Sequence, residues 1–181
     1  MAEPFIEEIK RLTGLTDQER QLLAEMKPVL EKHAPSIVDA FYAQLEQFER
    51  TREILHAQPG RIEKLKGHLT RWLIGLANGE YGQAYQHERY RIGYRHVEVG
   101  LEPRFVIGAM SFCRSMVAPM IEQEYANDAL KNARRLALDK IMDIDLNIML
   151  QSYDDKRIQQ FLEVTGFSKE LFENMIAGAA D

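Results

Sequence analysis

The stretch RIGYRHVEVGLEPRFVIGA, residues 91–109, sets one histidine, His96, between two glycines, Gly93 and Gly100. At helical spacing His96 shares a face with Ile92, Gly93, Val99 and Gly100, an apolar face of low volume carrying a single imidazole. Glycine inside a helix costs about 0.5–1 kcal/mol against alanine. That cost predicts that something near the helix axis needs the room, and a broad planar group is one candidate. The alternative is a core histidine bonded to a backbone carbonyl, in a helix that ends at Gly100. A neutral imidazole is also a natural iron ligand, with its second nitrogen free to be held by a neighbour.

Outward from this stretch the chain reads as helix after helix. TDQE, residues 16–19, has the form of a capping box, followed by Leu22, Leu23, Met26, Val29 and Leu30 at helical spacing. Pro35 and Ser36 are read as opening a second segment, with Ile37, Val38, Phe41, Leu45 and Phe48 on its stripe and Tyr42 at the edge. TREILHAQ, residues 51–58, gives one or two short turns, and Pro59-Gly60 is a break. Over 61–77, Ile62, Leu65, His68, Leu69, Trp72 and Leu76 keep one helical face. NGEYG, residues 78–82, interrupts it before the helix that carries His96. Pro103 suits the first turn of the next helix, which runs to about Glu124 with Pro119 placed to kink it. A further helix starts at ANDALKN, residues 126–132, and an amphipathic stretch from Phe161 to Ile176 follows YDDKR.

The expected fold class is therefore all-α, with seven or eight helices, no strand hairpin and no repeat. The helices near 103–125 and 128–150 exceed the usual length, which predicts that a partner subunit covers their far ends. Residues 1–152 read as one domain. Residues 153–181 read as a peripheral helical extension, a linker toward a further domain.

The 181 residues carry a formal net charge of −5 and no long basic run, which argues against a general nucleic-acid surface. One cysteine, Cys113, lies in the apolar run FVIGAMSFCRSMVAPM and suggests a reducing, cytoplasmic setting. The acidic start MAEPFIEEIKRL lacks the zones of a signal peptide. No stretch offers 18 uncharged apolar residues to span a membrane.

The histidines are 33, 56, 68, 87 and 96. At about 100° per residue His87 and His96 face opposite sides of one helix, so they cannot share an ion, and no HExxH is present. His96 stands alone on its face, His68 lies beside Leu65, Leu69 and Trp72, and Tyr42 adjoins Phe41. Together they suggest a flat apolar cofactor between helices, with one imidazole below a metal and a phenol and a second imidazole above it.

VDAFYAQL (38–45), LANGEY (76–81) and RIGYRHVEVGLEPRFVIGA (91–109) resemble the sensor globins, the haem domains of globin-coupled sensors, and the likeness spans about residues 15–152. The resemblance implies a globin-like fold without a substantial D helix, with an extra N-terminal helix and a C-terminal extension. It implies haem b, with His96 as the proximal iron ligand and Tyr42 as the distal tyrosine that bonds bound oxygen. Phe41, Leu65, Leu69, Ile92, Val99 and Phe105 are the expected haem contacts. The position of His68 is often small or apolar in the family; here it either ligates iron on the distal side or only donates a hydrogen bond. Lys64, Arg71, Arg89 and Arg91 are candidates for the haem propionates.

The implied function is a non-enzymatic oxygen sensor, with CO and NO as further ligands. Its ligation state is relayed through a homodimer of the helices near 103–125 and 128–150 to a C-terminal effector domain. A nitric oxide dioxygenase-like or other redox haem protein is the alternative, and a cofactor-free all-α dimeric regulator is a third.

Overall fold

The apolar periodicity resolves into helices in the computed structural model, which describes residues 3–178. Residues 1–2 of the acidic start and 179–181 of the expected extension lie outside the described residues. Nine helices and no strand occur among the described residues: α1 Phe5–Thr13, α2 Asp17–Glu25, α3 Lys27–Leu45, α4 Glu49–His56, α5 Arg61–Gly75, α6 Gln83–Glu98, α7 Pro103–Glu124, α8 Lys131–Thr165 and α9 Lys169–Gly178.

Packing is organised around α8. Ala137, Leu138, Ile141, Met142, Ile144, Ile148 and Met149 are buried along it, and α1, α2, α6 and α7 all lie against it. Each fully buried aliphatic side chain contributes about 1.5–3 kcal/mol. On the other side of the molecule α3 packs against α5 and α7. The extra N-terminal helix is α1, which tucks Ile6 and Ile9 into the core. No helix intervenes between α4 and α5.

The start of α2 forms the expected capping box: the Thr16 hydroxyl accepts from the Glu19 amide at 3.2 Å, and the Glu19 carboxylate accepts from the Thr16 amide at 2.9 Å. Lys140 of α8 then donates to Glu19 at 2.7 Å and to the Gly14 carbonyl at 2.8 Å, tying the α1–α2 corner to the central helix.

Three expectations about boundaries are corrected. Pro35 does not open a segment; the break falls at Met26, and Pro35 lies inside α3. An interior proline costs about 3 kcal/mol, but Leu30, Ala34, Ile37, Val38, Phe41 and Tyr42 form one buried stripe only if the helix continues. TREILHAQ, expected as one or two short turns, supplies the last six residues of α4, which starts two residues earlier at Glu49 and ends at His56. The long C-terminal helix does not end near residue 150: α8 runs through Ser152 and Tyr153, both buried, to Thr165.

Helix α7 continues through Pro119 and is, by length and composition, the one described helix long and apolar enough to cross a membrane. Its Val106, Met110, Cys113, Val117, Met120 and Ile121 are instead buried within the fold. Beyond the core, α9 buries none of its residues, and Phe161 meets Phe167 and Phe172 with ring centroids 6.1 and 5.4 Å apart.

Candidate functional site

His96 occupies the last turn of α6. Its Nδ1 lies 2.9 Å from the Ile92 carbonyl. A carbonyl can only accept, so Nδ1 carries the proton and Nε2 keeps its lone pair. Burial pulls the imidazole below its ordinary pKa, opposed by the Ile92 bond, and the ring is neutral at pH 7. The carbonyl bond and the helix end at Gly100 are those expected of a core histidine, and the same bond leaves Nε2 free with the second nitrogen supported, as a metal-ligating histidine requires.

The two glycines have other causes than room for a planar group, and that expectation is corrected. A Cβ on Gly93 would lie 2.3 Å from Ser152 Oγ and 2.8 Å from the Met149 backbone, so Gly93 is where α6 and α8 touch backbone to backbone. Gly100 has φ +66° and ends the helix. Its amide donates to Val97 and the Leu101 amide donates to the His96 carbonyl, at 2.9 and 3.0 Å, a left-handed helix stop that glycine accepts without strain.

Phe41 and Tyr42 project from α3, buried and edge-to-face with ring centroids 5.4 Å apart. No protein group bonds the Tyr42 hydroxyl among the described residues, although buried phenols usually find a partner. Burial, with the Cys113 thiol nearby, holds this phenol well above its ordinary pKa, so it stays a proton donor. Burial pushes the Cys113 thiol itself up to about 12.

Helix α6 has its main packing on α8, and α5 on α3 and α4; α6 has no comparable packing against α3 or α5. The apolar side chains expected at the cofactor are only half-buried: Leu65 and Leu69 on α5, Ile92 on α6, Val99 just past its end, and Phe105 on α7. Phe105 meets Phe48 at 6.4 Å. His68 is exposed on α5. A neutral imidazole on α6, an unpartnered phenol on α3 and half-buried apolar side chains on α5, α6 and α7 are the groups that fit a haem, which takes one protein nitrogen and covers flat apolar surface.

The remaining histidines have local explanations. His33 pairs with Glu124 and His56 with Glu46, each at 2.8 Å, and His87 is exposed. No group of three metal-ligating side chains converges among the described residues. Two surface depressions, of about 250 Å³ between α7 and α8 and about 350 Å³ around residues 55–63, include none of His96, Tyr42 and His68.

A buried polar cluster beside the site is absent from the sequence reading. Arg89 and Asp145 are both fully buried, with Arg89 Nε 3.0 Å from Asp145 Oδ2. Trp72 Nε1 donates to the same carboxylate at 2.8 Å and the Tyr85 hydroxyl at 2.5 Å. The Arg89 guanidinium lies over the Tyr85 ring at 4.4 Å and donates to the Trp72 carbonyl at 3.3 Å. Complete burial pushes the Asp145 carboxyl up to about 6, against the lowering effects of Arg89, Tyr85 and Trp72. Arg89 is therefore engaged in the core and is withdrawn as a propionate partner. The missed signal is the spacing of Ile141, Asp145, Ile148 and Ser152, which places Asp145 on the buried face of α8.

A family model described as Protoglobin matches residues 3–159. Over 168 residues the chain is 30% identical to the heme-based aerotactic transducer HemAT of Halobacterium salinarum, covering 88% of this chain and 34% of that protein. The chain thus spans about a third of the length of that curated relative. The globin domain of the Geobacter sulfurreducens globin-coupled sensor superposes with a TM-score of 0.77 at 33% identity, covering 81% of this chain and 96% of that one. With an all-α globin fold and a match over residues 3–159, the chain belongs to the Protoglobin family.

Proposed function

We propose that this chain is a haem-based oxygen-sensor domain. The observation that carries the reading is His96, whose Nδ1–H is held by the Ile92 carbonyl so that Nε2 is left free as a ligand. Haem b would lie between α5 and α6, with His96 holding the iron and Phe41, Leu65, Leu69, Ile92, Val99 and Phe105 against the macrocycle. When bound, ferrous haem supplies an iron site that takes O2, CO or NO reversibly.

The chain's own residues select among these ligands. Tyr42, kept protonated by burial, donates a hydrogen bond to a ligand atom carrying partial negative charge, contributing about 1.5–3 kcal/mol. That bond favours O2 over CO, which carries little charge. His68 either donates a second bond or ligates the iron in the resting state. Covering the macrocycle, the apolar side chains would limit the access of bulk water to the iron.

The relatives support a signalling role rather than an enzymatic one: one is named an aerotactic transducer and the other a globin-coupled sensor. Exposed Ile107, Leu130 and Leu136 on and beside α7 and α8 suit a homodimer through these helices, with an effector domain following in sequence. The domain works without nucleic acid and without membrane insertion, in the cytoplasm.

Absorption spectra of the ferric, ferrous and oxygenated protein test the reading. A strong band at about 400–430 nm is expected for the haem protein. Loss of that band's normal position and of haem affinity is expected in His96→Ala, and unchanged spectra would overturn the assignment. In the same series, a six-coordinate ferric spectrum that becomes five-coordinate in His68→Ala identifies His68 as a ligand; no change rejects it.

A further inference from the structure

The corner that follows His96 is held by two side chains from two other helices. The Leu101 amide donates to the His96 carbonyl at 3.0 Å, and the Leu101 carbonyl accepts from the Tyr153 hydroxyl at 2.8 Å. Two hydrogen bonds through one residue thus connect the backbone of His96 to a buried ring of α8. From α4, Arg50 donates to the Gly100 carbonyl at 2.9 Å and the Val99 carbonyl at 3.3 Å. These contacts take up carbonyls at a helix end, where the backbone otherwise frays.

One turn before His96 the same two helices meet rigidly. The Gly93 contact with Met149 and Ser152 leaves no space for even a methyl group, so α6 cannot advance on α8 there. A pull on His96 is therefore converted into rotation about Gly93, and its displacement emerges at the corner, against Tyr153.

We infer that Tyr153 is the positioning residue through which α8 reads the place of His96, while Arg50 anchors the same corner without passing the movement on. This rests on the reading of His96 as the iron ligand. Burial pushes the Tyr153 hydroxyl up to about 12, so it remains a donor across the physiological range. Past Tyr153, α8 continues unbroken to Thr165, so the contact lies on the helix that leads out of the domain.

Amide hydrogen exchange on wild type, Tyr153→Phe and Arg50→Gln tests the inference. Without haem, loss of the one hydrogen bond from Tyr153, or of the two from Arg50, should speed exchange over 96–101 by about fivefold per bond; unchanged exchange in Tyr153→Phe overturns the inference. With haem, wild type and Arg50→Gln should show a difference in exchange over 154–165 between deoxy and ligand-bound protein, and Tyr153→Phe should lose it. A difference of wild-type size in Tyr153→Phe, or equal loss in both variants, overturns it. The wild-type absorption spectrum separates the two failures: no haem band sinks the functional reading and this inference together, whereas a normal band with an unaltered Tyr153→Phe response sinks this inference alone.

Discussion

Arg89 Nε stands 3.0 Å from Asp145 Oδ2 with neither side chain reaching solvent. The pair joins α6 to α8, and Trp72 brings α5 to the same carboxylate. Removing one partner strands the other charge in the core. Asp145→Ala is expected to destabilise the fold by about 3–5 kcal/mol, read as a lower midpoint in urea denaturation. A midpoint within error of wild type would show that Arg89 is satisfied without the carboxylate.

The same carboxyl gives stability a pH dependence of definite sign. Its folded value of about 6 lies above the unfolded value of about 3.9. The folded chain therefore holds a proton there that the unfolded chain has released, and stability from this group falls as pH rises from about 4 to 6. The total is on the order of 2–3 kcal/mol. Urea melts of wild type and Asp145→Asn at pH 4, 5, 6 and 7 isolate it: the wild-type curve should fall more steeply with pH over that window. Parallel curves would contradict it.

Gly93→Ala should be poorly tolerated. The added methyl group would meet the Met149 backbone at 2.8 Å as well as the movable Ser152 hydroxyl. Ser152 can turn aside, but the backbone of α8 cannot, and overpacking of this kind costs about 1–3 kcal/mol. Calorimetry should show a lower Tm. Gly108→Ala inside α7, where the new Cβ meets nothing within 4 Å, is the control expected to raise Tm slightly, since alanine removes about 0.5–1 kcal/mol of glycine's helix cost.

Tyr42→Phe retains the ring and its edge-to-face contact with Phe41 but loses the unpartnered hydroxyl. On the proposed function, oxygen dissociation should accelerate by about 10- to 100-fold with CO dissociation little changed. Stopped-flow measurement of both rates decides it, and an oxygen rate equal to or slower than wild type would count against Tyr42 as a donor.

Much of the architecture could be read directly. Thr16 and Glu19 announce the start of α2, Gly60 and Gly100 the breaks around α5 and α6, and Pro103 the start of α7, because each acts on its own neighbours. Pro35 misleads for the converse reason: its local cost is set against a buried stripe two turns on either side. Asp145 and Arg89 were hidden because a charge is normally solvated, and its partners lie as far away as Trp72, 73 residues off. Only the fold brings three helices to one carboxylate. His96, Tyr42 and His68 were picked out by type and face, but the reason for Gly93 was not, since nothing near it in sequence reveals that α8 passes so close.

The unbroken course of α8 has a mechanical consequence. Its first part is gripped by the core as far as Tyr153, and its last part, to Thr165, lies largely at the surface. From Tyr153 to Thr165 the helix is about 18 Å long, so a tilt of about 5° at the gripped end sweeps the free end through about 1.6 Å. A stiff rod clamped at one end in this way is a lever, and it delivers at the domain's edge a stroke larger than anything the well-packed interior could itself accommodate.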